Sequence, residues 1–325
     1  MNFLKNKTVL ITGGTGSFGT AATEFLLKEC NLKKLIIFSR DENKQFQMQN
    51  KFKDRKIRFF IGDIRDEDRL EMALKEVDYV IHAAALKQVP AAEYNPFECI
   101  KTNVNGAQAL ISASLKNKVK KVIALSTDKA CNPINLYGAT KLCAEKLFVN
   151  ANQLSGMNNT RFGVVRYGNV ISSRGSVIPY FKDLLEKGKK ELPLTHWEMT
   201  RFFITLTDAV KFVLNSLKVL NGGEIFIPKM NSIFIRDLIF LVNKKAKIKI
   251  TGIRPGEKIH ESLCSYDESS GLYESKDYFT IYAHNMSYKK KSGKKLNKKF
   301  SYSSNSKMSL DKSKIQKLIK KIKIL

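Results

Sequence analysis

The segment "STDKACNPINLYGATK" (126–141) sets a phenol and an ammonium four residues apart, Tyr137 and Lys141, with an acid–cation pair, Asp128 and Lys129, a little upstream. Four-residue spacing on a helix puts Tyr137 and Lys141 on one face. A phenol is too weak an acid to act as a base near neutral pH unless positive charge close by lowers its pKa. With Lys141 beside it, Tyr137 can take a proton from an alcohol. Asp128 and Lys129 add a second acid–base couple, of the kind needed to remove a C–H proton and to protonate a departing hydroxyl. Cys131 stands in the same segment without a neighbouring His and reads as a small loop filler.

Such a cluster needs a scaffold, and the 325 residues supply the pattern of one. Strand-like apolar runs at 7–12, 33–39, 56–63, 77–85, 120–127 and 161–170 alternate with helical patterns at 17–30, from Asp41, from Asp66, around 97–117 and from Leu136. Alternation of this kind builds right-handed crossovers and a parallel sheet covered on both faces, and the continuous apolar strands suit a doubly buried sheet. After residue 170 the elements shorten and Gly and Pro punctuate them. The fold class expected is therefore α/β, a Rossmann-type doubly wound parallel sheet with a smaller C-terminal substrate-binding lobe. The nucleotide-binding domain is expected at 1–168, with 200–222 returning to it, and the second lobe at 169–199 and 223–325. The stretch 284–306 is poor in apolar residues and reads as a mobile loop.

"ITGGTGSFG" falls between the first strand and the first helix. Glycines at 13, 16 and 19 allow a tight turn, backbone approach to a pyrophosphate, and close packing of helix on sheet, with free N–H groups of the helix start facing the phosphates. Gly13, Thr15, Gly16, Ser17, Phe18 and Gly19 form the candidate phosphate cradle for a nicotinamide dinucleotide. At the end of the second strand, Ser39, Arg40 and Lys44 suit the 2′-phosphate of NADP. Asp41 would suit ribose hydroxyls instead, or simply cap the next helix. Asp63 and Ile64 are placed to meet the adenine, Ala83, Ala85 and Lys87 the nicotinamide-side ribose, and Leu125 and Ser126 the cofactor at the fifth strand's end.

Taken together, "TGGTGSFG", "HAAALK", "STDKA", "YGATK" and "RPGEK" (254–258) resemble the extended short-chain dehydrogenase/reductase family over nearly the whole chain. Within it, "SRDE", "HAAALKQVPAAEYNPFECIKTN" and "RYGNVISSRGSVIP" look closest to the configuration-inverting UDP-N-acetylglucosamine 4,6-dehydratases, although the tail after about 265 is more Lys-rich than that group. Asp128-Lys129 is the discriminator. Retaining dehydratases carry Asp-Glu there, and 4-epimerases small residues.

The resemblance implies a tightly bound NADP recycled within each turnover. It also implies a UDP-sugar substrate and the product UDP-2-acetamido-2,6-dideoxy-beta-L-arabino-hex-4-ulose, used for surface glycans of the pseudaminic acid type. The C4 alcohol is oxidised, the acidified C5 proton is removed as the C6 hydroxyl leaves, hydride returns to C6, and a proton reaches C5 on the opposite face. Tyr137 serves the 4-hydroxyl, with Lys141 lowering its pKa and binding the ribose. Lys129 removes the C5 proton, provided burial and neighbouring cations depress its pKa, and Asp128 is the acid for the C6 hydroxyl. Lys87, Asn169, Val177, Arg201, Arg254 and Glu257 are the substrate-binding candidates, and Arg174 lies near the cofactor.

Other readings are a UDP-hexose 4-epimerase, a dehydratase serving L-fucosamine-type capsule sugars, and a non-catalytic NADP-sensing or nucleic-acid-binding protein. A net charge of +27 raises the last of these. The excess, however, lies largely in Lys-rich surface stretches such as "SYKKKSGKKLNKKF" (287–300), without interleaved aromatic platforms. Neither nucleic acid nor membrane is expected as a partner. No apolar run reaches the length of a membrane span, and a cytoplasmic homo-oligomer, a dimer or hexamer, is expected. Five scattered cysteines without C-x-x-C spacing argue against disulfides and metal.

Overall fold

The structure is a computed structural model and describes the chain apart from residues 157–158, 172, 174, 284–285, 287, 289–290, 297–298 and 322–325. The first half runs β1 (Thr8–Thr12), α1 (Ser17–Glu29), β2 (Lys34–Ser39), α2 (Glu42–Lys51), β3 (Ile57–Ile61), α3 (Glu67–Ala73), β4 (Tyr79–His82), α4 (Val89–Tyr94), α5 (Pro96–Ile100), α6 (Gly106–Lys116), β5 (Lys121–Thr127), α7 (Leu136–Leu154) and β6 (Arg161–Tyr167). It continues through β7 (Asn169–Val170), α8 (Val177–Glu186), β8 (Glu191–Leu194), β9 (Thr200–Ile204), α9 (Leu206–Val219), β10 (Glu224–Pro228), β11 (Asn231–Phe234), α10 (Ile235–Val242), β12 (Lys247–Ile250), β13 (Ser262–Cys264), β14 (Leu272–Glu274), β15 (Tyr278–Tyr282), β16 (Lys294–Lys295), β17 (Tyr302–Ser303) and α11 (Lys312–Lys321).

Every residue of β1, and nearly every one of β2 and β5, is buried, because helices cover both faces of the sheet. The ten strands stand in the order β16-β14-β15-β10-β6-β5-β4-β1-β2-β3. From β3 to β10 neighbouring strands run parallel, and β15, β14 and β16 close one edge antiparallel. Chain order reverses between β1 and β4, so a crevice opens beyond their carboxyl ends, where ligands of open α/β sheets bind. Helix starts are fixed by side chains. Asp41, Asp66, Asn135 and Thr205 each accept the backbone N–H three residues on, at the starts of α2, α3, α7 and α9. The capping alternative weighed for Asp41 is therefore the one found.

Three sequence expectations change here. The pattern over 97–117 is not one helix: α5 passes into a π turn (Lys101–Asn105) before α6. Asn103, in that turn, receives Leu86 N–H at 2.8 Å and donates to Leu86 O at 2.9 Å and Thr140 Oγ1 at 3.0 Å. The irregularity thereby ties the loop after β4 to α7. Strands β10, β14, β15 and β16 lie within the stretch assigned to the second lobe, yet they extend the central sheet. Periodicity cannot tell a strand that joins one sheet from a strand that joins another. Finally, the end of 284–306 is no loose loop. Tyr302 and Ser304 are buried, and β17 pairs with β13.

The smaller lobe consists of β11-β9-β7, β12-β8 and β13-β17 with α8, α10 and α11. Its own core joins Ile178 and Phe181 of α8, Leu238 of α10, and Ile315 and Ile319 of α11. The last helix thus buries Ile315 and Ile319 and shows Lys312, Lys314 and Lys317 to solvent.

Candidate active site

A cavity of about 820 Å³ runs across the carboxyl ends of β1, β2, β4 and β5 and under the second lobe. Gly13 begins it at φ 61°, in the left-handed region that glycine tolerates, and a Cβ there would come within 2.8 Å of Ala84 backbone. The loops after β1 and β4 can meet this closely only because residue 13 has no side chain. Gly13, Thr15, Gly16, Ser17, Phe18 and Gly19 all line this end. Ser39, Arg40 and Lys44 follow, then Ile64, then Ala83, Ala85 and Lys87, then Leu125 and Ser126. Asp63 does not line the cavity. It holds Arg65 through two bonds of 3.0 and 2.8 Å and faces Arg40 at 3.5 Å. Lys44 is ion-paired with Asp41, which leaves Arg40, about half exposed, as the more available cation. Arg174 lies outside the described residues.

Tyr137, Lys141 and Lys129 come together in the cavity's middle. Burial pushes the Tyr137 phenol up to about 12, against the pull of the Lys129 ammonium and a hydrogen bond with Thr127. Lys141 Nζ donates to Leu125 O at 2.7 Å, and burial brings it down to about 8, with Glu145 opposing. Lys129 is therefore a cation acting on the phenol that spacing alone did not place there. Gly138, beside Tyr137, lets the turn 128–130 lie against α7, since a Cβ there would run into the Lys129 carbonyl oxygen.

The expectation for Lys129 itself is reversed. Burial alone would lower it, but Asp128 Oδ1 at 3.0 Å and Glu261 Oε1 at 3.3 Å outweigh burial and raise it above its ordinary value, against the opposing charge of Arg201. The sequence showed the adjacent Asp128 but gave no hint that a second carboxylate, 132 residues on, would close over the same ammonium. Asp128 is fully buried directly behind Lys129. Its Oδ1 accepts Thr127 Oγ1 at 3.1 Å, and its Oδ2 has no partner.

The second lobe contributes Asn169, Arg201, Arg254 and Glu257 to the wall. Val177 instead packs into that lobe's core. Arg201 is nearly buried and donates to the carbonyls of Thr200, Ile259 and Lys258 at 2.7–2.9 Å. It frames the loop 257–261 more than it offers a free guanidinium, whereas Arg254 is exposed at the mouth.

The sequence profile of the polysaccharide biosynthesis protein family matches residues 9–283, an interval that holds every residue of this site. The chain belongs to that family. It is 58% identical over 275 residues to UDP-N-acetylglucosamine 4,6-dehydratase (inverting) of Campylobacter jejuni subsp. jejuni serotype O:2, spanning 85% of this chain and 82% of that one. It is 44% identical to UDP-glucose 4-epimerase of Rickettsia canadensis, over 85% and 83% of the two chains. The solved structure of Pen from Bacillus thuringiensis superposes with a TM-score of 0.92 at 40% identity, covering 99% of both chains. This chain of the polysaccharide biosynthesis family therefore has the α/β fold of short-chain dehydrogenase/reductase type expected for it.

Among the lining residues that escaped the sequence reading, Thr127, Tyr167 and Glu261 carry groups that bear on the chemistry. Thr127 stands between two residues that were singled out, and Tyr167 precedes the glycine of "RYGNV". Glu261 lies three residues past "RPGEK", so all three were within sight of quoted motifs. Cys131 is buried, with its thiol raised by burial and by Glu268, as befits a filler. Among the described residues no group of three or more His, Cys, Asp or Glu could hold a metal, and no helix is long and apolar enough to cross a membrane.

Proposed function

We propose that this chain is an inverting UDP-N-acetylglucosamine 4,6-dehydratase. The observation that carries the reading is the Asp128–Lys129 turn, held beside Tyr137 in the cavity that begins at the glycine loop. The cradle fits a nicotinamide dinucleotide: Gly13 leaves room for backbone approach, and α1 begins at Ser17 with its first N–H groups toward the cavity. When bound there, that cofactor supplies the hydride acceptor for C4 and the donor for C6.

This chain's residues do the rest. Tyr137 takes the 4-hydroxyl proton, and Lys129 and Thr127 make its phenolate less costly. Lys141, fixed on Leu125 O, holds the ribose side of the site. Lys129 and Asp128 serve the C5 proton and the C6 hydroxyl. Lys129 rests as an ammonium between carboxylates, so it can take the C5 proton only after giving up one of its own. Arg254 and Glu257, at the mouth, meet the diphosphate and the nucleoside ribose. NADP is the form proposed, because Arg40 stands free enough to meet a 2′-phosphate. By the same resemblance, the enzyme works in the cytoplasm as a homo-oligomer and its product enters surface-glycan synthesis of the pseudaminic acid type.

The test is proton NMR of the purified protein with UDP-N-acetylglucosamine in deuterated water. A new 6-methyl signal, a 4-ketone and deuterium at an inverted C5 are expected. A galacto epimer without a methyl signal would move the assignment to the epimerase reading that the Rickettsia relative favours.

A further inference from the structure

We propose that Glu261 is a positioning residue for Lys129: its carboxylate holds the ammonium in the cavity wall and sets the pH range over which the elimination half of the reaction runs. The inference rests on the dehydratase reading for the reaction, and on geometry alone for the coupling.

Glu261 is 3% exposed and reaches Lys129 Nζ with Oε1 at 3.3 Å. Its Oε2 is buried without a hydrogen-bond partner. Glu261 stands in the cavity wall, but so enclosed a carboxylate is directed at the lysine it faces, through which it acts. Arg201 Nε and Lys258 Nζ each stand 3.9 Å from it, and Lys258 also donates to Cys131 O at 2.7 Å, at the end of the catalytic turn. One buried carboxylate thus faces cations from three places in the chain, and Lys129 is the one held beside Tyr137.

The backbone fixes where that carboxylate points. Glu261 N–H donates to Ser304 Oγ at 3.0 Å, and its carbonyl accepts Ser304 N–H at 2.8 Å. Ser304 is fully buried and bonded to Thr200 Oγ1 at 2.7 Å. Such a doubly tied residue has little freedom, which suits a group that must hold another at a set distance.

The charged and titratable groups facing Lys129 are Asp128 on its own turn, Glu261 and Arg201 from the second lobe, and Tyr137 from α7. An opposite charge stabilises the ammonium, and removing it favours the amine. Glu261→Gln keeps the shape and deletes the charge, leaving Arg201 and Lys258 to repel Lys129. The pH limb of the elimination step should therefore move to lower pH by about 1–3 units. Glu261→Asp, with the carboxylate kept, should restore most of the wild-type limb.

Two readouts decide the proposal. The rate of 6-methyl formation from UDP-N-acetylglucosamine is measured from pH 6 to 10 for wild type, Glu261→Gln and Glu261→Asp, beside C4 oxidation followed at 340 nm in a single turnover. The elimination limb should move to lower pH, and on its high-pH plateau elimination should fall more than oxidation, because the amine is no longer held in place. Lys129 is also titrated directly by carbon NMR of the isotopically labelled lysine side chain, with Lys129→Met supplying the assignment. Superimposable limbs, or oxidation and elimination falling together with a lowered melting temperature, would overturn the role. If wild type forms no 6-methyl product, the dehydratase reading fails, and the titration alone decides the coupling: a shift in Glu261→Gln upholds it and an unmoved Lys129 ends it. Should Glu261→Gln not fold, Glu261→Asp carries the same titration, with a smaller downward shift expected and no shift overturning the proposal.

Discussion

Arg166→Met is the perturbation whose size the structure fixes best. Arg166 sits fully buried near the carboxyl end of β6 and spans two carboxylates. It donates from Nε to Glu145 Oε1 at 3.0 Å and from Nη2 to Glu145 Oε2 at 2.5 Å. On the other side it reaches Glu268 at 3.0 and 2.8 Å, and Leu263 O at 3.0 Å. Burial pushes the Glu268 carboxyl up, but the Arg166 guanidinium outweighs it and holds the group at about 2, against an ordinary 4.5. That gap, at about 1.4 kcal/mol per tenfold, corresponds to about 3 kcal/mol. Breaking a buried pair by removing one partner costs about 3–5 kcal/mol in general, so the two estimates agree. For a chain of 325 residues, with an unfolding entropy of about 2.1 cal/mol/K per residue, the melting temperature should fall by about 4–7 °C.

The sign of the pH dependence separates a lost ion pair from lost packing. A carboxyl depressed in the folded state contributes stability that is fully present above its unfolded value and disappears as pH falls through the folded one. The difference between wild type and Arg166→Met, measured by calorimetry, should narrow as pH falls, beginning above 4.5 because burial without the guanidinium raises the Glu268 carboxyl in the variant, and continuing as pH approaches the depressed value of the wild type. Ser126 Oγ, which faces the cofactor end of the cavity, donates to Glu145 at 2.5 Å, so cofactor affinity should drop as well. A melting temperature within about 1 °C of wild type at pH 7 would refute the reasoning, as would a deficit that stays constant down to pH 3.

Two further substitutions probe the site. Gly138→Ala should fold, because alanine favours a helix by about 1 kcal/mol over glycine, but its methyl displaces the Lys129 carbonyl and with it the Asp128–Lys129 turn. A misplacement of that order costs about a hundredfold in turnover, and wild-type rates alongside an unchanged circular dichroism spectrum would count against the close packing described. Arg40→Ala should raise the dissociation constant for NADP by about 10- to 100-fold, the worth of one charge-assisted bond, while leaving that for NAD near its starting value. Equal losses for both cofactors, measured by calorimetric titration, would remove the 2′-phosphate role.

What the sequence disclosed and what it withheld divide along one physical line. The glycine loop, the strand ends and the Tyr137–Lys141 spacing depend on neighbours within a few residues, and all of them arrive at the same cavity. The environment of Lys129 depends on Glu261, 132 residues away, on Arg201 at a distance of 72, and on Ser304, which fixes Glu261 from the far end of the chain. Local composition near Lys129 shows one acid and no hint of the second, and so it misleads about the charge the lysine carries.

The same logic governs Arg166. As one basic residue in an apolar strand, it looks like an interruption of a buried run. It is tolerated only because Glu145 arrives from α7 and Glu268 from the turn before β14. In both cases a carboxylate from beyond residue 257 joins one from the nucleotide-binding domain, Glu261 with Asp128 and Glu268 with Glu145, and together they let cations stay charged inside the protein. A sequence shows which groups can react. The counter-charges that decide in which form they wait come in part from the tertiary fold: beside Asp128 and Glu145 they include Glu261 and Glu268, from segments in which no periodic pattern announces them.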